Sequence, residues 1–407
     1  MTAPSILISG ASVSGPALAF WLNAHGWATT VIERFDAPRE AGQNIDIRGA
    51  AREVVRRMGI EDAVRAASTG ERGIEFVDAA GRGLASFPAG ESDTGGATAE
   101  LEILRGELAR LLLERTSDDT EYLFGDQIVD LEESGPGVTV TFRHGPPRTF
   151  DVVVVAEGLT SRTRSLVFPE ATVHELGLCL AYLTIPRTAT DNDWWRWYHA
   201  SGGRSVTLRP DNVGTIWATL SFLSDVRGLE DLDPSDQAQV LRRTFHDAGW
   251  QTPRVLAALD DAPFYFDAVG QVRLPTWSRG RVALVGDAAY CPSPLSGMGT
   301  SLALVGAYVL AGELATHDGH RAAFDRYESI MRPYVRQAQK LPPGTPRLAH
   351  PRTRAGVRLL RAALTLAGHP LTQRAGALSS RVFSPPADPI ELPHHATPTR
   401  SSSPAWG

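Results

Sequence analysis

Two short stretches of this chain set chemically competent side chains beside backbone that can act with them. The first is Gly286-Asp287, which ends the apolar run Arg281-Val282-Ala283-Leu284-Val285 and leads into Pro292-Ser293-Pro294-Leu295-Ser296-Gly297-Met298-Gly299. A strand ending in one carboxylate, a Pro/Gly loop, and a small-residue helix from about Thr300 place an acceptor beside free helix N–H groups. That pairing suits a ligand with a polyhydroxyl chain and a ring that becomes anionic. The second stretch is Gly10-Ala11-Ser12-Val13-Ser14-Gly15, with Glu33 and Arg34 closing the next apolar run. Gly10 allows a tight turn, Gly15 lets helix and strand pack closely, and Glu33 offers an acceptor to ribose hydroxyls. Ser12 stands where a second glycine would let a pyrophosphate approach, and its side chain narrows that approach. An acid at the ribose position favours an adenosine with a free 2′-hydroxyl, so FAD or NAD suits this turn better than NADP. A flavin satisfies both stretches, with a ribitol for Asp287 and an isoalloxazine for the helix end.

The elements that must position these residues follow from pattern. Ile6–Ser9 reads as a buried strand, about Pro16 to His25 as an apolar helix, and Thr29–Ile32 as the next strand. Ala41–Gly49 is a loop with a short strand, followed by helices near Ala51–Met58 and Leu104–Leu113, the latter with leucines at helical spacing. Short alternating strands are expected at Glu121–Phe124, Val138–Phe142 and Arg148–Phe150, then a fully buried strand, Val152–Val155, ending in Ala156-Glu157-Gly158. Strands at Cys179–Ile185, Trp194–His199, Ser205–Leu208 and Thr215–Phe222 are rich in Trp, Tyr, Thr and Val and predict a separate sheet. Asp233-Pro234 starts a helix to about Ala248. The Arg281–Val285 strand returns to the nucleotide sheet, and helices follow at Leu302–Ala315, Arg321–Gln339 and, past the Pro342–Pro346 hinge, Arg352–Leu366.

The predicted fold class is α/β. A Rossmann-like parallel sheet with helices on both faces (residues 1–175 and 270–340) is interrupted by a β-rich substrate domain (176–269). C-terminal helices (341–383) and a disordered tail (384–407) complete it. A simple N-terminal Rossmann domain followed by a separate catalytic domain does not fit this order.

Composition narrows the function. The 407 residues are 43% hydrophobic and 21% charged with a net charge of −6, a soluble globular profile that argues against nucleic-acid binding. The two cysteines, Cys179 and Cys291, make neither a disulfide framework nor a metal spacing and read as small buried hydrophobes. The residues before the first strand lack a basic region, so no signal peptide is expected there, and the apolar Ser301–Leu314 span is expected to be too short to cross a bilayer. The expected location is the cytoplasm. Lys340 is the only lysine, so 39 of the 40 basic residues are arginines and lysine catalysis has little to work with.

Four pieces in order, Gly10–Gly15 with Glu33-Arg34, Arg105 on its helix, Ala156-Glu157-Gly158, and Gly286-Asp287 with Pro294-x-x-Gly297-x-Gly299, together resemble a known family. It is that of the single-component FAD-dependent aromatic hydroxylases with the para-hydroxybenzoate hydroxylase fold. In length and layout the chain is most similar to the tetracycline-inactivating and antibiotic-tailoring monooxygenases, over about residues 4 to 385. The resemblance implies that Gly10, Ser12 and Gly15 line the FAD pyrophosphate and that Glu33, with Arg34 beside it, takes the adenosine ribose. Arg105 would reach the pyrophosphate or ribitol, Glu157 would end the middle strand at the cofactor, and Asp287 would hold the ribitol. Pro294, Gly297, Met298 and Gly299 would lie beside the isoalloxazine. Three departures stand out: Glu157-Gly158 replaces the usual Asp-Gly, Tyr290 stands where a histidine is common, and Met298 replaces glutamine.

The implied activity is a monooxygenase that uses transiently bound NAD(P)H and molecular oxygen to hydroxylate an aromatic or polyketide-like molecule through a flavin hydroperoxide. No strong acid–base side chain is then required, and no Ser-His-Asp or Cys-His set is present. Trp195, Trp197, Arg204 and Arg48 are the substrate candidates, on the argument that an aromatic cluster can wall a flat polycycle. Sheet packing is the competing account of the tryptophans. Trp195-Arg196-Trp197 is similar to the tryptophan motif of flavin halogenases, but Tyr198-His199-Ala200 follows and the single lysine lies on a late helix. The alternatives are a flavin oxidase or dehydrogenase without oxygen transfer, and a ligand-sequestering protein. A monomer or weak homodimer without nucleic-acid or membrane partners and without a metal is expected.

Overall fold

The computed structural model describes residues 3–39, 42–89, 101–342, 344–369 and 390–395. A six-stranded sheet runs in the spatial order Ser278–Arg279, Val282–Leu284, Val152–Val155, Ser5–Ser9, Ala28–Glu33, Thr120–Phe124. All its pairings are parallel except that of the Ser278–Arg279 edge. Both faces are covered, which is why Val152–Val155 is a continuous apolar run with every residue buried. The Ser14–Ala24 and His320–Ala338 helices pack on Gly299–Thr316. At 18 residues that central helix exceeds the expected Ser301–Leu314 span. It is long and apolar enough to cross a membrane, but 78% of it is buried inside the protein. Only small residues let its neighbours approach. A Cβ on Gly306 would sit 2.0 Å from the Tyr290 hydroxyl.

The second sheet has seven strands, ordered Phe264–Val272, Val173–Pro186, Thr215–Leu223, Arg204–Pro210, Trp195–Ala200, Gly73–Val77, Gly83–Pro88. It is wider than the 176–269 segment expected from sequence. Gly73–Val77 joins in parallel beside Trp195–Ala200, and Gly83–Pro88 forms the edge. Strand pairing between residues more than a hundred positions apart left no local sign. The period of two sorts its faces. Ala181, Leu183, Val206, Leu208, Ala218 and Leu220 pack against Leu241, Phe245 and Val255 of the helices behind. The alternate residues, among them Leu180, Tyr182 and Val269, turn toward Leu295 of the Pro/Gly loop.

The Arg354–Ala367 helix covers the far end of that second face through Leu360 and Leu364, which pack with Phe76, Phe87, Trp195 and Trp197. The expectation of a disordered tail fails for residues 390–395. Ile390 and Leu392 pack on the main core, the Pro393 carbonyl accepts the Tyr308 hydroxyl at 2.7 Å, and the His395 ring lies against Tyr308. The apolar residues interspersed among the prolines and histidines there find a groove on the central helix.

Candidate functional site

The N-terminal turn is built from close approach. Gly10 has φ 115°, and a Cβ there would lie 2.5 Å from the Ala156 carbonyl oxygen. A Cβ on Gly15 would lie 1.9 Å from the Gly10 carbonyl oxygen. No L side chain is compatible with either distance, so the glycines are dictated by backbone packing at the mouth of the sheet. The Ala11 N–H donates to one Glu33 carboxylate oxygen at 2.9 Å, and the Phe35 N–H to the other at 3.3 Å. Glu33 is therefore held at the strand end beside the first helix. Ser12 accepts a hydrogen bond from the Arg105 guanidinium at 3.1 Å. Ala11, Ser12, Glu33, Arg39, Arg105 and Ala109 line one cavity. Arg34 points to solvent, with its guanidinium over the Phe35 ring.

The two distant stretches meet. A Cβ on Gly286 would fall 2.2 Å from the Ser14 hydroxyl, so the late turn lies against the start of the first helix. Asp287 opens the short Asp287–Tyr290 helix. Burial raises its carboxyl above the usual range, against the lowering effects of Cys291 and Arg105. Burial lowers Arg105 to about 10, while Asp287 and Glu33 both push it back up. One guanidinium thus stands in the field of both acids.

Beyond Asp287 the loop is conformationally demanding. Ser293 has φ 80°, one of two non-glycine residues with positive φ among those described, and its buried hydroxyl has no hydrogen-bond partner. Strain of this kind collects at functional loops. Gly297 takes φ 63° before the Gly299–Thr316 helix, whose N-terminus has no side-chain cap and no acid in its first turn. The first N–H groups of the helix meet no capping side chain, while just before it the Met298 N–H donates to the Ser296 hydroxyl at 3.1 Å and the Gly297 N–H to the Pro294 carbonyl at 3.2 Å. The Arg48 N–H donates to the Ser301 hydroxyl at 3.1 Å, which docks the 44–49 segment at this helix end. Arg48 pairs with Asp46 at 2.8 Å, and its Nε is buried without a hydrogen-bond partner.

Two candidates change their part. Glu157 is saturated by its own chain. Ser9 and Thr163 hydroxyls donate to one oxygen, and the Ser161 hydroxyl and Thr163 N–H to the other. A carboxylate accepts about four hydrogen bonds, so Glu157 anchors the Arg162–Val167 helix and has no acceptor left for a ligand. Arg204 lies on the opposite sheet face from Trp195 and Trp197, bonded to the Ser201 and Thr244 carbonyls and paired with Asp247 at 2.5 Å. A strand residue at odd spacing from Trp197's partner Thr207 must point away from it.

The site-facing sheet surface also carries residues the sequence reading missed. Tyr182 packs against Trp217 and Tyr265, with centroids 6.2 and 6.5 Å apart. Asp267 receives the Tyr265 hydroxyl at 3.3 Å, and burial raises its carboxyl to about 6. Trp195 and Trp197 lie 5.0 Å apart, and the Arg209 guanidinium sits 4.3 Å from the Trp195 ring. Arg209 is buried among Glu71 (2.6 Å), Glu102 (3.3 Å) and Asp46 (3.6 Å). The period of two in Val173–Pro186 and Phe264–Val272 was the available signal for Tyr182, Tyr265 and Asp267. Nothing local marks the Arg209 cluster, whose members come from four separate segments.

Crowded glycines, an acid at each end, an arginine between them and an uncapped helix behind a glycine loop fit an extended flavin dinucleotide. Fold and site together define a flavin-dependent oxidoreductase with a discontinuous cofactor domain. The chain belongs to the FAD binding domain family, which matches residues 4–341. It is similar to a flavin-dependent monooxygenase of an unknown prokaryotic organism, 40% identical over 82% of this chain and 87% of that protein. A flavin-dependent monooxygenase of Legionella longbeachae is 38% identical over the same shares. The crystal structure of the tetracycline destructase Tet(55) is 33% identical, with a TM-score of 0.77 over 97% of this chain and 99% of that one. The protein is an FAD-dependent monooxygenase, an oxidoreductase acting on a small-molecule substrate with NAD(P)H as electron donor.

Proposed function

We propose that this enzyme hydroxylates a polycyclic, polyketide-like aromatic of the kind met in antibiotic modification. The observation that carries this reading is the aromatic sheet face, with Tyr182, Trp217 and Tyr265 on the side of the sheet where Leu295 of the cofactor loop packs, and Trp195 and Trp197 further along it beneath the Arg354–Ala367 helix. Flat rings offer a large apolar area that such a surface desolvates. The likeness to a tetracycline destructase supports the same substrate class.

In this reading Glu33 binds the adenosine ribose, Gly10, Ser12 and Gly15 admit the pyrophosphate, and Arg105 supplies its countercharge. Asp287 accepts from the ribitol hydroxyls, and the Gly299 N–H at the helix start faces the pyrimidine end of the ring; beside it the Met298 N–H donates to the Ser296 hydroxyl and the Gly297 N–H to the Pro294 carbonyl, which shapes the loop. The bound flavin supplies the redox chemistry and oxygen activation. The protein binds, orients and excludes water. Arg48, whose N–H is held at the helix end by Ser301, sets its Asp46-paired guanidinium beside the cofactor loop. Asp267, which burial raises to about 6, takes up a proton just below neutrality, and in its ionised form it accepts the Tyr265 hydroxyl. We place the enzyme in the cytoplasm as a monomer or weak homodimer, in keeping with two buried, unpaired cysteines.

The test is purified protein with a panel of aromatic compounds. Yellow protein whose NAD(P)H oxidation and oxygen uptake rise together on adding a polycyclic phenol supports the reading. Substrate oxidation without oxygen incorporation from labelled O2 would make it an oxidase or dehydrogenase instead.

A further inference from the structure

A cavity of about 490 Å³ opens where the end of the Phe264–Val272 strand meets the last turns of the His320–Ala338 helix. Four cations line it: Arg273 just past the strand, and Arg332, Arg336 and Lys340 on the helix and beyond its end. Glu328 pairs with Arg332, whose guanidinium lies 4.5 Å from the Trp277 ring. Arg273, Arg336 and Lys340 are exposed, and among the described residues no carboxylate pairs with them. The guanidinium of Arg273 donates instead to the Gln271 carboxamide oxygen.

Cations at a helix C-terminus complement its dipole, which accounts for Arg336 and Lys340 taken singly. It does not account for Arg273, which arrives from the sheet, nor for the space between them. The chain as a whole is acidic at −6. Among the described residues, exposed arginines without a carboxylate partner also occur singly elsewhere, as at Arg143, Arg162 and Arg243; what sets this place apart is that such cations gather around one cavity. Here two arginines and a lysine without carboxylate partners surround a concavity whose walls, Val272, Val335 and Leu341, are apolar. The carboxamide at its base is turned inward: Gln339 donates to the carbonyls of Val272, Tyr290 and Cys291. Behind it the buried Gln271 donates to the Pro292 carbonyl. They hold the backbone that continues into the Pro294–Gly297 loop.

We propose that this cavity is a second nucleotide site, separate from the residues assigned to the flavin. Its ligand brings two or more phosphate charges to the cationic mouth and an apolar base to the wall. Two sources offer that chemistry: the nicotinamide reductant, through its phosphates, or a free nucleotide. The first rests on the monooxygenase reading above; the second does not.

Flavin-loaded, full-length protein is titrated with ADP and with 2′-phospho-ADP-ribose by calorimetry. Saturable binding is expected, weakened at least about tenfold in the Arg336→Glu/Lys340→Glu double variant and by added salt. Absence of binding, or equal binding by the double variant, overturns the proposal. A tenfold higher KM for NADPH at unchanged kcat in the double variant identifies the reductant as the ligand. An unchanged KM alongside lost ADP binding identifies a free nucleotide. Lys340, the only lysine, gives a second measurement that needs no variant. Periodate-oxidised ADP followed by borohydride should attach to Lys340 and be blocked by inorganic pyrophosphate; labelling that pyrophosphate does not block counts against the site. Parent protein that purifies without flavin would instead overturn the monooxygenase reading and leave the ADP arm to be judged alone.

Discussion

The buried cluster beside Trp195 makes a quantitative prediction about pH and stability. Glu71 is enclosed together with Glu102, Asp46 and Arg209. Burial raises its carboxyl from 4.5 to about 8, opposed by Arg209 and reinforced by Glu102. A carboxyl raised on folding is protonated in the native state and ionised in the unfolded chain between those two values. Its stabilisation is therefore fully present below about 4.5 and is lost as pH rises through about 8. Each pH unit inside that window costs about 1.4 kcal/mol, so the parent should lose about 2 kcal/mol between roughly pH 6 and pH 8 from this group. Glu71→Gln keeps an oxygen for the Arg209 Nε–H and has no proton to lose. Urea unfolding of both proteins across that range should show the variant gaining on the parent by about 2 kcal/mol as pH rises. Parallel curves would show that Glu71 is ionised throughout, and that Arg209 rather than desolvation governs the cluster.

Asp287→Ala should yield pale protein, with FAD bound about 10- to 100-fold more weakly through loss of charge-assisted hydrogen bonds. A normal flavin-to-protein ratio by absorbance would contradict the ribitol assignment. Gly15→Ala forces a Cβ to 1.9 Å from the Gly10 carbonyl oxygen, so flavin retention and thermal midpoint should both fall. Gly319→Ala, where nothing lies within 4 Å, should change neither. Trp217→Ala should raise the KM for an aromatic substrate at least about tenfold through lost apolar burial and leave FAD content intact. Arg204→Ala, on the opposite sheet face, should leave that KM unchanged, and equal effects of the two would refute the facial assignment.

Local sequence determined the turns that we assign to the cofactor. Gly10 and Gly15 are required by the close backbone approach of the first turn, and Glu33 and Asp287 stand at strand ends that a few neighbouring residues encode, so pattern sufficed to place them. The continuous apolar run at Val152–Val155 likewise announced a strand covered on both faces. Tertiary structure decided the rest. Whether Trp195 and Arg204 share a face depends on register. Glu157 could be assigned to a ligand only until Ser9, Ser161 and Thr163 were seen to occupy both its oxygens. The second sheet recruits strands near residues 73–88, and the Arg209 cluster and the cationic cavity each assemble from segments far apart in the chain. Such groupings are set by long-range packing, which the adjacent residues do not record.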